Sequence, residues 1–97
     1  MTDDEYGNRL MMAILIDAKS QLPDPPDPLA LPPLVDVYRV KAEAKPDLPG
    51  SERRAMEAVK ALVRDGLVTA LYQTEGVFVQ VTPEGWQEKP RYVGLGP

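Results

Sequence analysis

The chain of 97 residues, 43% of them hydrophobic, has room for one globular domain with a thin core. Because it contains neither cysteine nor histidine, disulfides, thiolate metal sites and the commonest general base are excluded, and we expect no enzyme, no cofactor and no metal site. The net charge of −4 argues against general affinity for nucleic acid, but it is unevenly distributed: residues 1–36 carry −5, residues 37–64 carry +3 and residues 65–97 carry −2.

The first predicted element is a helix capped by Asp3 or Asp4 and ending near Ser20. Residues 10–16 are apolar without a break, so the helix is apolar on nearly all sides. Two interpretations remain open: a helix buried at the centre of the domain, or one that packs on its own core and also on a second subunit. The acidic N-terminus is unlike a secretory signal and the apolar run is too short to span a membrane, so we expect a cytoplasmic protein.

Residues 22–33 hold six of the eleven prolines and are predicted to form a semi-rigid connector. An alternative is a proline-rich ligand for an aromatic groove on a partner. Pro32 and Pro33 suit the start of a second helix, which we expect to end near Ala44. A proline-containing break at residues 45–50 follows.

Ser51 is predicted to cap a third helix that ends near Asp65, with Gly66 as its left-handed terminal residue. At 100° per residue this helix has an apolar face and an opposite, charged face. The apolar face contains Ala55, Met56, Val59, Leu62 and Val63, and the charged face contains Arg53, Arg54, Glu57, Lys60 and Arg64.

Two β-prone stretches, residues 67–73 and 77–82, flank a short Thr74-Glu75-Gly76 turn and predict a hairpin. Tyr72 and Phe78 are expected to lie opposite or near one another across this hairpin, as core residues and a cross-strand pair. The single tryptophan, Trp86, is expected to cover the end of the hairpin core.

Two passages carry a resemblance to a known family. Residues 58–68, Ala-Val-Lys-Ala-Leu-Val-Arg-Asp-Gly-Leu-Val, resemble the L-x-x-L-x-x-x-G-L-V passage of winged-helix transcriptional regulators. Residues 79–85, Val-Gln-Val-Thr-Pro-Glu-Gly, are similar to the V-x-L-T-P-E-G passage that follows the wing in that family. The acidic tip of the hairpin departs from the family pattern, because a wing that enters the minor groove usually carries Arg or Lys.

The resemblance implies an α+β fold: a winged helix-turn-helix of three helices followed by a two-stranded hairpin wing and a short C-terminal turn or helix. From its length we expect a single domain over 1–97, with the connector at 22–33 and, because the C-terminal residues show no periodicity, a mobile tail at 90–97. Beneath the wing we expect a small apolar cluster, and Thr82 is expected to cap the turn that begins at Pro83. The cluster contains Leu62, Val63 and Leu67.

The same resemblance implies a transcriptional regulator that binds double-stranded DNA with its third helix, as a homodimer through the first helix and the C-terminal segment. Arg53 and Arg54 would meet base edges, while Lys60 and Arg64 would meet phosphates. Three residues around the second helix could extend this basic surface: Arg39, Lys41 and Lys45.

The alternative is a solvated face and an acidic winged-helix module for protein–protein interaction, such as an adaptor or a phage-type inhibitor, that does not bind DNA. An open basic face favours DNA, whereas a neutralised face favours a protein partner. The carboxylates that could neutralise it are Glu43, Asp47, Glu52 and Glu57.

Overall fold

The computed structural model describes residues 1–23, 31–44 and 47–87. Part of the predicted connector and the whole predicted tail at 90–97 therefore lie outside the described residues. The described residues form an α+β fold with four helices and a three-stranded antiparallel sheet in the order β1-β3-β2. In chain order the elements are α1 (Asp3–Ser20), β1 (Val35–Asp36), α2 (Val37–Glu43), α3 (Glu52–Arg64), β2 (Val68–Gln73), β3 (Gly76–Val81) and α4 (Pro83–Gln87).

Helix α1 supplies one broad face to the core. Its N-cap is Thr2 rather than the predicted Asp3 or Asp4, because the Thr2 hydroxyl accepts a hydrogen bond from the Glu5 amide at 3.1 Å. Ile16, with 65% of its surface exposed, is the one large apolar side chain of α1 that lies in solvent. None of the described helices combines the length and apolar character needed to cross a bilayer. The buried residues of α1 are Tyr6, Leu10, Met11, Ile14, Leu15 and Ala18.

The second helix begins later than predicted, because the residues before it form strand β1. Val35 and Asp36 pair with Val79 and Phe78 of β3. Val35 is fully buried, so its packing in the sheet overrides the helix start that the prolines favour. Helix α2 is instead capped by Asp36, whose carboxylate accepts from the Arg39 amide at 3.3 Å.

The third helix and the hairpin agree closely with the prediction. Ser51 caps α3, and Gly66 follows it with a φ of +78°, a conformation that glycine adopts without strain. The two strands begin and end within one residue of the predicted bounds. Leu62 and Leu67 are buried, but Val63 is 37% exposed, so its predicted place in the core beneath the hairpin is wrong.

The sheet has a core face and an outer face. In the antiparallel pairing of β2 with β3, Tyr72 is opposite Val77 and Leu71 is opposite Phe78. Directly paired residues share a face and successive residues alternate, so Tyr72 and Phe78 lie on opposite faces and the predicted pair between them is wrong. The residues of β2 on the core face are Val68, Ala70 and Tyr72, and those on the outer face are Thr69, Leu71 and Gln73.

The base of the hairpin is closed by the residues around Thr82. Its hydroxyl donates to the Gly66 carbonyl oxygen at 2.6 Å and accepts from the Gly85 amide at 3.0 Å. Helix α4 begins at Pro83, as predicted. Trp86 is partly buried against the core, which agrees with the covering role expected for it.

Candidate functional site

Helix α3 carries three of the four predicted contact residues on its solvent side. Its buried face is formed by Ala55, Val59 and Leu62. Arg53, Glu57, Lys60 and Arg64 follow one another at helical spacing on the opposite side, and all four are exposed. We call these four residues the outward face of α3.

Arg54 differs from the other predicted contact residues because it turns toward α1. Its guanidinium carbon lies 4.6 Å from the centroid of the Tyr6 ring, a favourable cation–π distance. The same group donates to the Met1 carbonyl oxygen at 3.2 Å and lies 4.0 Å from the Asp3 carboxylate. Arg54 therefore links α3 to the first turn of α1.

The positive charge of the outward face is partly neutralised by its own helix. Lys60 lies 3.4 Å from Glu57, and Arg64 lies 3.5 Å from Asp65. Arg53 makes no ion pair within the described ranges. Exposed ion pairs of this kind contribute little in water, so both paired cations remain able to exchange their carboxylate for another anion.

The surroundings of the outward face are acidic. A cleft of about 460 Å³ lies between the first turns of α1 and one side of α3. Away from this cleft, the tip of the hairpin carries the exposed Glu75. The charged residues that line the cleft are Asp3, Asp4, Arg54, Glu57, Arg64 and Asp65.

Helix α2 does not extend the basic surface in the part of the chain that the structure describes. The Arg39 guanidinium lies 2.9 Å from Asp17 and 3.1 Å from Glu43. Hydrogen bonds to the Asp17 carboxylate and, to a smaller extent, to the Glu43 carboxylate raise the pKa of Arg39 above its usual value. Lys41 is only 6% exposed, and Lys45 lies outside the described residues.

Tyr6 is a feature of this region that the sequence did not predict. The residue is 1% exposed, and its hydroxyl has no hydrogen-bond partner among the described residues. Burial raises the pKa of this phenol, while the charge of Arg54 acts in the opposite direction. In sequence Tyr6 is simply one more residue after an acidic first turn, and only the packing of α1 against α3 distinguishes it.

Comparison with known proteins adds no family to these observations. No family model matches the chain, and neither a curated protein nor a solved structure shows significant similarity to it. Residues 1–23, 31–44 and 47–87 also contain no group of three or more carboxylates placed to hold a metal ion. The geometry of α3 and of the hairpin is therefore the basis for inferring a function.

Proposed function

We propose that this chain is a winged-helix domain that binds double-stranded DNA through the outward face of α3 and acts as a transcriptional regulator. The order of helices and the β1-β3-β2 sheet are compatible with that fold. The observation that carries the proposal is the exposure of Arg53, Lys60 and Arg64 on one side of a 13-residue helix. A helix of this size fits the major groove of B-form DNA.

In this arrangement Arg53, in the first turn of α3, approaches base edges. Lys60 and Arg64 approach phosphates and exchange their exposed ion pairs for those contacts. Arg54 is a positioning residue, because its contacts with Tyr6 and Met1 set the orientation of α3 against α1. Two copies would present two α3 helices to successive major grooves.

The acidic surroundings favour a second candidate, a module that binds another protein and not DNA. Glu57 lies in the middle of the outward face, and Asp65 pairs with Arg64 at its end. Such a mixed surface suits a protein partner that carries complementary charges of both signs. The two candidates differ in whether removing a negative charge from this face helps or weakens binding.

The first test is binding to duplex DNA by fluorescence anisotropy at about 50 mM and about 200 mM salt. The variants to compare are Arg53→Gln, Lys60→Gln and Arg64→Gln. The control is Lys19→Gln, which removes one exposed cation from the last turn of α1. We expect each outward-face variant to bind DNA more weakly. Lys60→Gln and Arg64→Gln should each lower the slope of log affinity against log salt concentration by about one. Lys19→Gln is expected to bind as the wild type does.

A reverse variant sharpens this test. Glu57→Gln removes the carboxylate that pairs with Lys60, so DNA binding should become tighter because phosphate repulsion is removed. Absence of binding at the lower salt concentration, or equal effects of Lys19→Gln and the outward-face variants, would contradict DNA binding. The protein-interaction module would then be the better interpretation.

A further inference from the structure

The two edges of the sheet differ in how they are protected. At one edge β1 is only two residues long, follows two prolines and leads directly into α2. At the other edge β2 has six residues, Val68–Gln73, none of them charged and none a proline. Folded proteins commonly block an edge strand by shortening it, charging it or placing proline in it. The β1 edge has such protection, and the β2 edge lacks it.

On the side away from β3, strand β2 is the edge of the sheet. The sheet ends at β2, so no described strand pairs with that side. In an antiparallel ladder alternate residues direct their N–H and C=O groups away from the partner strand. Leu71 and Tyr72 remain 51% and 46% exposed. An uncharged strand with exposed apolar side chains and free backbone groups is suited to the addition of another strand.

We propose that β2 pairs with β2 of a second copy of this chain, antiparallel, about a twofold axis at Leu71. A twofold axis perpendicular to the sheet places the two cores on the same side, so residues of the core face oppose residues of the core face. The same holds for the outer face. Because successive residues alternate between the two faces, two residues that oppose each other must have sequence numbers that differ by zero or an even number.

The axis at Leu71 gives the most complementary side chains. On the outer face Leu71 opposes its own copy, and Thr69 opposes Gln73, so apolar meets apolar and polar meets polar. On the core face the small Ala70 opposes the large, half-exposed Tyr72. An axis at Ala70 would instead place Leu71 opposite Thr69 and the buried Val68 opposite Tyr72.

Charge at the β2 edge does not oppose a second copy as the occupant. Each chain carries a net charge of −4, and two copies meet most readily where no like charges face one another. The β2 edge is an uncharged six-residue stretch that satisfies this condition. Pairing of β2 with a second copy requires no DNA.

Cysteine crosslinking tests the register directly, because the natural chain has no cysteine. Directly opposed Cα atoms in an antiparallel pair lie about 4.5–5.5 Å apart, which suits a disulfide. In a glutathione redox buffer, Leu71→Cys should form a covalent dimer on a non-reducing gel. Thr69→Cys, on the same face and also exposed, should form no covalent dimer because its copies lie four positions apart. Equal crosslinking of the two variants, or none for Leu71→Cys, would overturn the proposal.

Sedimentation equilibrium of the unmodified chain tests the dimer itself. For the wild type we expect a mass twice the 10.7 kDa of the chain. In Leu71→Lys two positive charges meet at the axis, so the dissociation constant of the dimer should rise at least about tenfold. Circular dichroism should be unchanged, since Leu71 is half exposed. Ile16→Lys alters the exposed apolar side chain of α1 and should leave the dimer intact. A monomeric wild type, or a dimer that Ile16→Lys but not Leu71→Lys dissociates, would overturn the proposal.

Discussion

The base and the tip of the hairpin are built from the same two strands but differ in burial and hydrogen bonding. At the base Thr82 bonds both Gly66 and Gly85, and Val68 is buried against the core. At the tip Tyr72 and Glu75 are exposed. The packed base fixes the junction between α3 and the sheet, whereas the tip and the edge of β2 are exposed.

Strand β2 changes from buried to exposed along its length. Its first residue contributes to the core, and its last three residues lie in solvent. Substitutions at the base should therefore change the free energy of unfolding, and substitutions at the tip should change binding.

Gly85→Ala should be the most damaging change at the base. A Cβ atom at this position would collide with the Leu67 carbonyl oxygen and would lie 2.8 Å from a Val81 methyl group. Because a backbone atom cannot move aside as a side chain can, we expect a loss of about 3 kcal/mol in the free energy of unfolding, at the upper end of overpacking effects. Urea denaturation followed by circular dichroism measures it. Gly7→Ala, where a Cβ meets nothing within 4 Å, is the control, and equal stability of the two variants would contradict the packing described for α4.

Thr82→Val should destabilise the base by a smaller amount. Valine keeps the shape of the side chain but removes the hydroxyl that serves the Gly66 carbonyl and the Gly85 amide. We expect a loss of about 1–3 kcal/mol, measured by the same denaturation. Thr82→Ser retains the hydroxyl and should recover most of it; a serine variant as unstable as the valine variant would show that the methyl group matters more.

On the buried side of α1, Tyr6→Phe should stabilise the fold by about 1 kcal/mol. The substitution removes a buried hydroxyl that has no hydrogen-bond partner among the described residues. The raised pKa of Tyr6 also predicts a pH effect. Above the usual pKa of 10.0 the unfolded chain loses this proton before the folded chain does, so the stability of the wild type should fall as pH rises past that value. Denaturation midpoints at neutral and alkaline pH measure both effects. A Phe variant that is less stable, or that loses the same stability in alkali, would contradict the burial of this hydroxyl.

Glu75→Lys at the tip should have the smallest effect on stability, within about 0.5 kcal/mol, because its side chain is exposed. If the chain binds DNA with α3, the same substitution should tighten binding at low salt, since a cation at the tip favours phosphate. Thermal unfolding and fluorescence anisotropy measure the two effects. Glu84→Lys, an exposed carboxylate at the base in α4, is the control for the change in net charge, and an equal gain in affinity there would argue against contact by the tip.

Local signals in the sequence predicted much of the fold. The Ser51 cap, the Gly66 end of α3 and the Thr82-Pro83 start of α4 were each predicted from residue type alone. Such features depend on neighbours within a few residues, which the sequence places in order. The β-strand at Val35 and Asp36 was missed because its partner, β3, lies more than 40 residues away in the chain.

The candidate site was predicted less completely. Helical spacing grouped Arg53, Lys60 and Arg64, and their common exposure is consistent with that grouping. The same spacing could not show that Arg54 turns toward the Tyr6 ring. That orientation depends on where α1 crosses α3, which no periodicity within either helix specifies.

Capping, turn chemistry and helical period act over short distances, so the amino-acid sequence was enough to predict the positions of most helices, the hairpin and the amphipathic character of α3. The tertiary structure decided the third strand, the face on which each hairpin residue lies and the burial of Tyr6. It also decided that β2, and not β1, forms the unprotected edge. These features depend on pairing and packing between segments far apart in the chain, where burial and backbone hydrogen bonding override local preference.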